Sequence, residues 1–64
     1  LGRGFADLLA EARLVTAATL LRGSALPVLE VGQRAGFGDA SHFHACFRKR
    51  FGCSPGAWRL NPGT

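Results

Sequence analysis

Residues 31–52, VGQRAGFGDASHFHACFRKRFG, leave this chain few ways to fold. Gly36 falls where an apolar helical pattern breaks off, so it is expected to end one helix in a left-handed conformation, with Phe37 sealing the corner behind it. Asp39 then stands where its carboxylate can accept from the orphan amides of a new helix. Beyond it Phe43, Cys46, Phe47 and Arg50 or Phe51 recur at helical spacing and trace an inward side, with Arg50 expected to snorkel outward and Gly52 to close the helix. The segment therefore reads as a short helix, a glycine-centred corner and a second helix that becomes basic along its length.

Helices are expected on both sides of this pair. From Phe5 to Arg22, the residues Phe5, Leu8, Leu9 and Ala12 and then Leu14, Ala17, Ala18 and Leu21 recur three and four apart, before Gly23 and Ser24 stop the helix. Gly4 gives it no side-chain cap. Pro27 suits the first turn of the next helix, where a missing N–H costs no hydrogen bond, and Glu30 sits near the positive end of that turn. Val28, Val31 and Ala35 form its inner face. Gly32 lowers helix propensity by roughly 1 kcal/mol relative to alanine, which fits a close helix crossing or simple drift. Ser54 and Pro55 read as a cap and first-turn proline for a short last helix carrying Trp58 and Leu60, with Asn61, Pro62 and Gly63 ending the ordered chain. The expected fold is all-α, with a core of Leu9, Leu14, Leu21, Val28, Val31, Phe37, Phe43, Phe47, Phe51 and Trp58.

A chain of 64 residues holds one small domain, which buries only about 60% of its unfolded surface and is marginally stable. Cys46 and Cys53 are too sparse for a secreted disulfide scaffold and are expected as thiols in a reducing cytoplasm. No apolar run approaches the roughly 18 residues of a membrane span, and the N-terminus lacks the order of a signal peptide.

The net charge of +4 is unevenly placed. Residues 1–40 balance Arg3, Arg13, Arg22 and Arg34 against Asp7, Glu11, Glu30 and Asp39, while residues 41–64 carry Arg48, Lys49, Arg50 and Arg59 with no acid. Such a patch attracts a polyanion in a salt-dependent way. With Phe43 and Phe47 buried, Ser41, His42 and Ala45 point away from the core, flanked by His44, Arg48 and Lys49. A helix entering the major groove of double-stranded DNA places its N-terminal residues over base edges, so Ser41 and His42 are expected to hydrogen-bond there and Ala45 to touch a thymine methyl. Arg48, Lys49 and His44, with Arg13 and Arg34 from neighbouring helices, are the expected phosphate contacts.

Other classes fit less well. His42 and His44 lie on different sides of a helix, and neither CxxC nor HExxH spacing is present, so no metal or cofactor is expected. No triad-like constellation is present in a chain with little space for a cleft, which argues against an enzyme. The aromatic residues recur at core spacing rather than as a platform for single-stranded bases. The competing class is a helical protein–protein interaction module whose basic face meets an acidic protein or RNA polymerase.

The residues also resemble the AraC/XylS family of bacterial transcription regulators over nearly the whole chain. Leu8-Leu9, Arg13-Leu14, Ala17 and Leu20-Leu21 are similar to the family pattern of the long helix, and Val28, Val31 and Gly32 to that of the second. The most specific match is GFxDxSxFxxxFRxxFGxSPxxxR, from Gly36, Phe37, Asp39, Ser41 and Phe43 through Phe47, Arg48, Phe51, Gly52, Ser54 and Pro55 to Arg59. Departures from the pattern are Ala45, where a long polar side chain is common, Gly32 for alanine, Leu8 and Trp58 for tyrosine, and Gly4 and Pro27 for capping hydroxyls. The resemblance implies the second half of a domain with two helix-turn-helix units: residues 1–4 a remnant of the first unit's exit, 5–60 the joining helix and second unit, and 61–64 a flexible tail. It further implies promoter DNA as partner, activation or repression in the cytoplasm at the nucleoid, and a parent protein with a first helix-turn-helix and an effector-binding domain.

Overall fold

The computed structural model describes residues 4–60, the side chains of Phe5 and Ala6 excepted; the expected tail at 61–64 and most of the expected remnant at 1–4 lie outside them. Four helices follow in order: α1 Phe5–Gly23, α2 Val28–Ala35, α3 Ala40–Phe51 and α4 Pro55–Leu60. The described residues are therefore all-α.

In α1, Leu14, Ala17, Ala18 and Leu21 form the buried stripe expected from their spacing. Its N-terminal continuation does not. Leu9, expected in the core, is 38% exposed, Leu8 is 54% exposed and Ala12 is exposed too. The two apolar runs differ in phase: with 3.6 residues per turn, Leu8, Leu9 and Ala12 lie on the side of α1 opposite Leu14, Ala17, Ala18 and Leu21, and only the later run is buried. As expected, Gly4 supplies no side-chain cap. At the other end the helix runs through Gly23, and Ser24 turns extended while its hydroxyl donates to the Leu20 carbonyl at 2.7 Å.

Pro27 stands one residue earlier in α2 than expected. Its φ of −57° suits a helix, but its ψ of 149° is extended, so it occupies the capping position and Val28 opens the helix. The Pro27 carbonyl accepts the first helical hydrogen bond, from Val31 N at 3.0 Å. The helix ends at Gly36, left-handed with φ 107°, whose amide donates to Gln33 O while the Phe37 amide reaches back to Gly32 O at 2.9 Å. This pair of bonds satisfies two orphan carbonyls and reverses the chain, which a residue with a Cβ would do under strain.

Asp39 caps α3 as expected, its carboxylate accepting from Ser41 N at 3.2 Å. Phe43 and Phe47 are 1% and 0% exposed, and Phe37 is 6% exposed. Their rings form a chain with centroids 5.0 Å apart for Phe37–Phe43 and 5.8 Å for Phe43–Phe47, continuing to Phe51 at 4.5 Å. Such tilted and edge-on arrangements suit the ring quadrupoles. Gly32 is a close crossing rather than drift: a Cβ there would lie 2.7 Å from the Phe43 ring. Val31 is buried, whereas Val28, Phe51 and Trp58, expected in the core, are half-buried against its edge.

Ser54 caps α4, its hydroxyl accepting from Ala57 N at 3.2 Å, and Pro55 opens it. Trp58 and Arg59 bind this short helix to the end of α1. The indole N–H donates to Ala18 O at 3.4 Å, and Arg59 donates through Nε to Leu21 O at 2.9 Å and through Nη2 to Ser24 O at 3.4 Å. Arg59 thus supplies donors to carbonyls that a helix C-terminus leaves without intrahelical partners. Among the described residues, no helix is long and apolar enough to cross a membrane.

Candidate nucleic-acid interface

The interface begins with the inward anchors of α3. Because Phe43 and Phe47 fix one side of the helix in the core, the opposite side must face outward, and Ser41, His42, His44, Ala45, Arg48 and Lys49 are all exposed. The helix spans about 18 Å at 1.5 Å per residue and has the diameter of about 10–12 Å that a major groove of about 12 Å admits.

The N-terminal half of this face is constrained locally. The Ser41 amide is held by Asp39, leaving its hydroxyl exposed. The His42 ring leans on Phe37, with centroids 5.9 Å apart, and its Nε2 lies 3.5 Å from Cys46 Sγ. His44 packs edge-on against Phe43 at 5.7 Å, with Nδ1 2.9 Å from the Ala40 carbonyl. A carbonyl only accepts, so Nδ1 is the donor in this contact. Ala45 is a bare methyl on the same face. Cys46, expected on the inward side, is half-buried, and Cys46 and Cys53 are separate thiols.

The cations divide sharply. Arg34 pairs with Glu30 at 2.9 Å within α2. Arg13 lies across the α2–α3 corner, its Nε 3.1 Å from where a Cβ of Gly36 would stand. Arg22 sits over the Trp58 ring at 3.9 Å, and Arg59 is committed to the carbonyls at the end of α1. Arg50 reaches both carboxylate oxygens of Glu11 on α1, at 2.9 and 3.1 Å. The hydrogen bond and then the charge of Glu11 raise the Arg50 guanidinium above its ordinary value. Arg48 and Lys49 have neither a hydrogen bond nor an ion pair among the described residues, so the positive charge left uncompensated on α3 is theirs.

Structure thus brings Ser41, Ala45, Arg48 and Lys49 onto the exposed side of α3 with His42 and His44 at its two flanks, while Arg34 is paired with Glu30 and Arg13 lies beside Gly36. The Glu11–Arg50 pair and the anchoring by Arg59 were missed in the sequence. One signal for the first was present: Arg50 follows Phe43 by seven residues and Phe47 by three, an inward phase at which a charge needs a partner.

A helix-turn-helix domain family matches residues 1–61. Transcriptional activators RhaS of Salmonella arizonae, Salmonella paratyphi B and Salmonella newport are each 49% identical over 43 residues, which is 67% of this chain. The chain spans 16% of the length of these relatives. No solved structure matches it. With its glycine corner, capped second helix and exposed basic face, the chain belongs to the AraC-type helix-turn-helix family and is a DNA-binding domain of its non-enzymatic transcriptional regulators.

Proposed function

We propose that α3 is the recognition helix of a sequence-specific promoter-binding unit and that it enters the major groove with its outer face. Ser41, His42 and Ala45 read base edges, while His44, Arg48 and Lys49 hold phosphate. The observation that carries this reading is the division of labour among the cations of α3: among the described residues, Arg50 is paired with Glu11 while Arg48 and Lys49, on the face away from Phe43 and Phe47, have no hydrogen bond or ion pair. Arg13 and Arg34 are weaker contributors because one fills the corner beside Gly36 and the other answers Glu30. His42, braced by Phe37 and Cys46, presents its ring with little rotamer freedom to lose on binding.

The small share of the relatives that this chain spans supports a larger parent, in which residues 5–60 form the joining helix and second of two helix-turn-helix units. The first unit and an effector-binding domain would lie elsewhere in that protein, at work in the cytoplasm. The relatives are named activators, which makes RNA polymerase the proposed protein partner of the promoter-bound state.

A titration of this chain and of the full-length protein against a library of duplexes at several salt concentrations tests the reading. Sequence-selective binding is expected, with Arg48→Ala plus Lys49→Ala flattening the dependence of log K on log salt by about 1.8, at roughly 0.9 per phosphate contact. A folded full-length protein with no duplex preference would sink the DNA-reading role.

A further inference from the structure

The inward phase of Arg50 sets a problem that apolar packing does not answer. The Phe43 and Phe47 rings fix how deeply α3 sits, but contacts of this kind are non-directional. Directional restraint between α1 and α3 comes from Arg50, whose Nε donates toward both oxygens of the Glu11 carboxylate. Its guanidinium also lies 4.8 Å from the centre of the Phe51 ring, so it is located from two sides. Glu11 in turn stands three residues before buried Leu14, on a part of α1 fixed by the core, and its side chain is 28% exposed against 48% for Arg50. A charge-assisted contact of this form constrains angle as well as distance.

We propose that Glu11 and Arg50 form a clamp that sets the rotation of α3 about its own axis and withholds Arg50 from DNA, so that α3 grips phosphate through Arg48 and Lys49. The proposal rests on the outer face of α3 being the DNA-contacting surface. The lever is short but sufficient. On a helix of about 10–12 Å diameter, a rotation of roughly 20° carries a side-chain tip through about 2 Å, beyond the range of a base-edge hydrogen bond. Glu11 and Arg50 are therefore positioning residues that act through His42, Ser41 and Ala45 without touching a base. The charge consequence is separate. Arg50 adjoins Lys49 in the chain, and with Glu11 neutralised it becomes an additional cation beside the phosphate-gripping pair.

The test measures binding of the full-length protein to its selected duplex and to a scrambled duplex across a salt series. Glu11→Gln is expected to lower the ratio of specific to scrambled affinity by about fivefold or more, the scale of one mismatched base pair. It should also steepen the salt dependence on the scrambled duplex by about 0.9, one added phosphate contact. Arg50→Gln is expected to lower the ratio similarly while leaving the salt dependence unchanged, because Arg50 was not on phosphate. The exchange Glu11→Arg with Arg50→Glu should recover part of the lost ratio, which loss of general stability would not do. A circular-dichroism melt of each variant confirms that folded protein is compared.

If Arg50→Gln flattens the salt dependence by about 0.9, Arg50 itself grips phosphate and the clamp is wrong. Unchanged ratio and salt dependence in Glu11→Gln would overturn it equally. A wild-type protein without duplex preference takes down the DNA-reading role and the clamp together, whereas a selective wild type with insensitive variants removes the clamp alone.

Discussion

The two faces of α3 are built from the same twelve residues and carry different burdens. On the inner face Phe43 and Phe47 are 1% and 0% exposed, and the Phe43 ring presses so close to α2 that Gly32 has no space for a Cβ. On the outer face Ser41, His42, His44, Ala45, Arg48 and Lys49 are all exposed, and none of their side chains enters the core. A domain of this size gains its stability from few large contacts, so the inner face cannot change without unfolding the chain. The outer face carries no such constraint. On the proposed reading, in which that face meets DNA, stability and recognition are separated by face, and one scaffold could serve different operator sequences.

The separation can be broken from the inside first. Phe47→Ala should cost about 3–5 kcal/mol, since a fully buried ring leaves a cavity that its neighbours fill only in part. Against a total of roughly 3–10 kcal/mol for a chain of this length, that is enough to abolish a cooperative melt. Gly32→Ala is expected to cost about 1–3 kcal/mol in urea unfolding, because the new methyl meets a buried ring 2.7 Å away. Gly23→Ala provides the contrast: it has negative φ and open space around it, and should stabilise by about 0.4–1 kcal/mol. Arg48→Ala with Lys49→Ala should change stability by no more than about 0.5 kcal/mol. A larger loss from that pair would mean that the outer face supports the fold, and the comparison would fail.

Much of this arrangement was legible because the signals are local. Gly36 and Asp39 act on amides and carbonyls within five residues, and Ser54 with Pro55 does the same for α4, so residue type and spacing were sufficient. The buried stripe of α1 from Leu14 to Leu21 followed from periodicity. Leu9 did not, because it stands five residues before Leu14, which turns it to a different side of α1 from the buried stripe. Pro27 was displaced by one position because proline fixes φ and leaves ψ to its surroundings.

At the interface, fixing Phe43 and Phe47 inward was enough to place the outer residues of α3. Sorting the cations was not possible from spacing alone. Arg59 reaches Leu21 across 38 positions, and Arg50 reaches Glu11 across 39. Such pairings depend on how the helices cross. Charge counting therefore overstated the basic surface: part of the excess in residues 41–64 serves the fold.

The most direct test of the account is selection of preferred duplexes by the full-length protein, wild type against His42→Ala, at one fixed salt concentration. The account predicts that the variant stays folded and loses discrimination by about 1–3 kcal/mol at one or two base pairs while keeping its preferences elsewhere. An unchanged preference at every position would contradict a base-reading role for the outer face of α3.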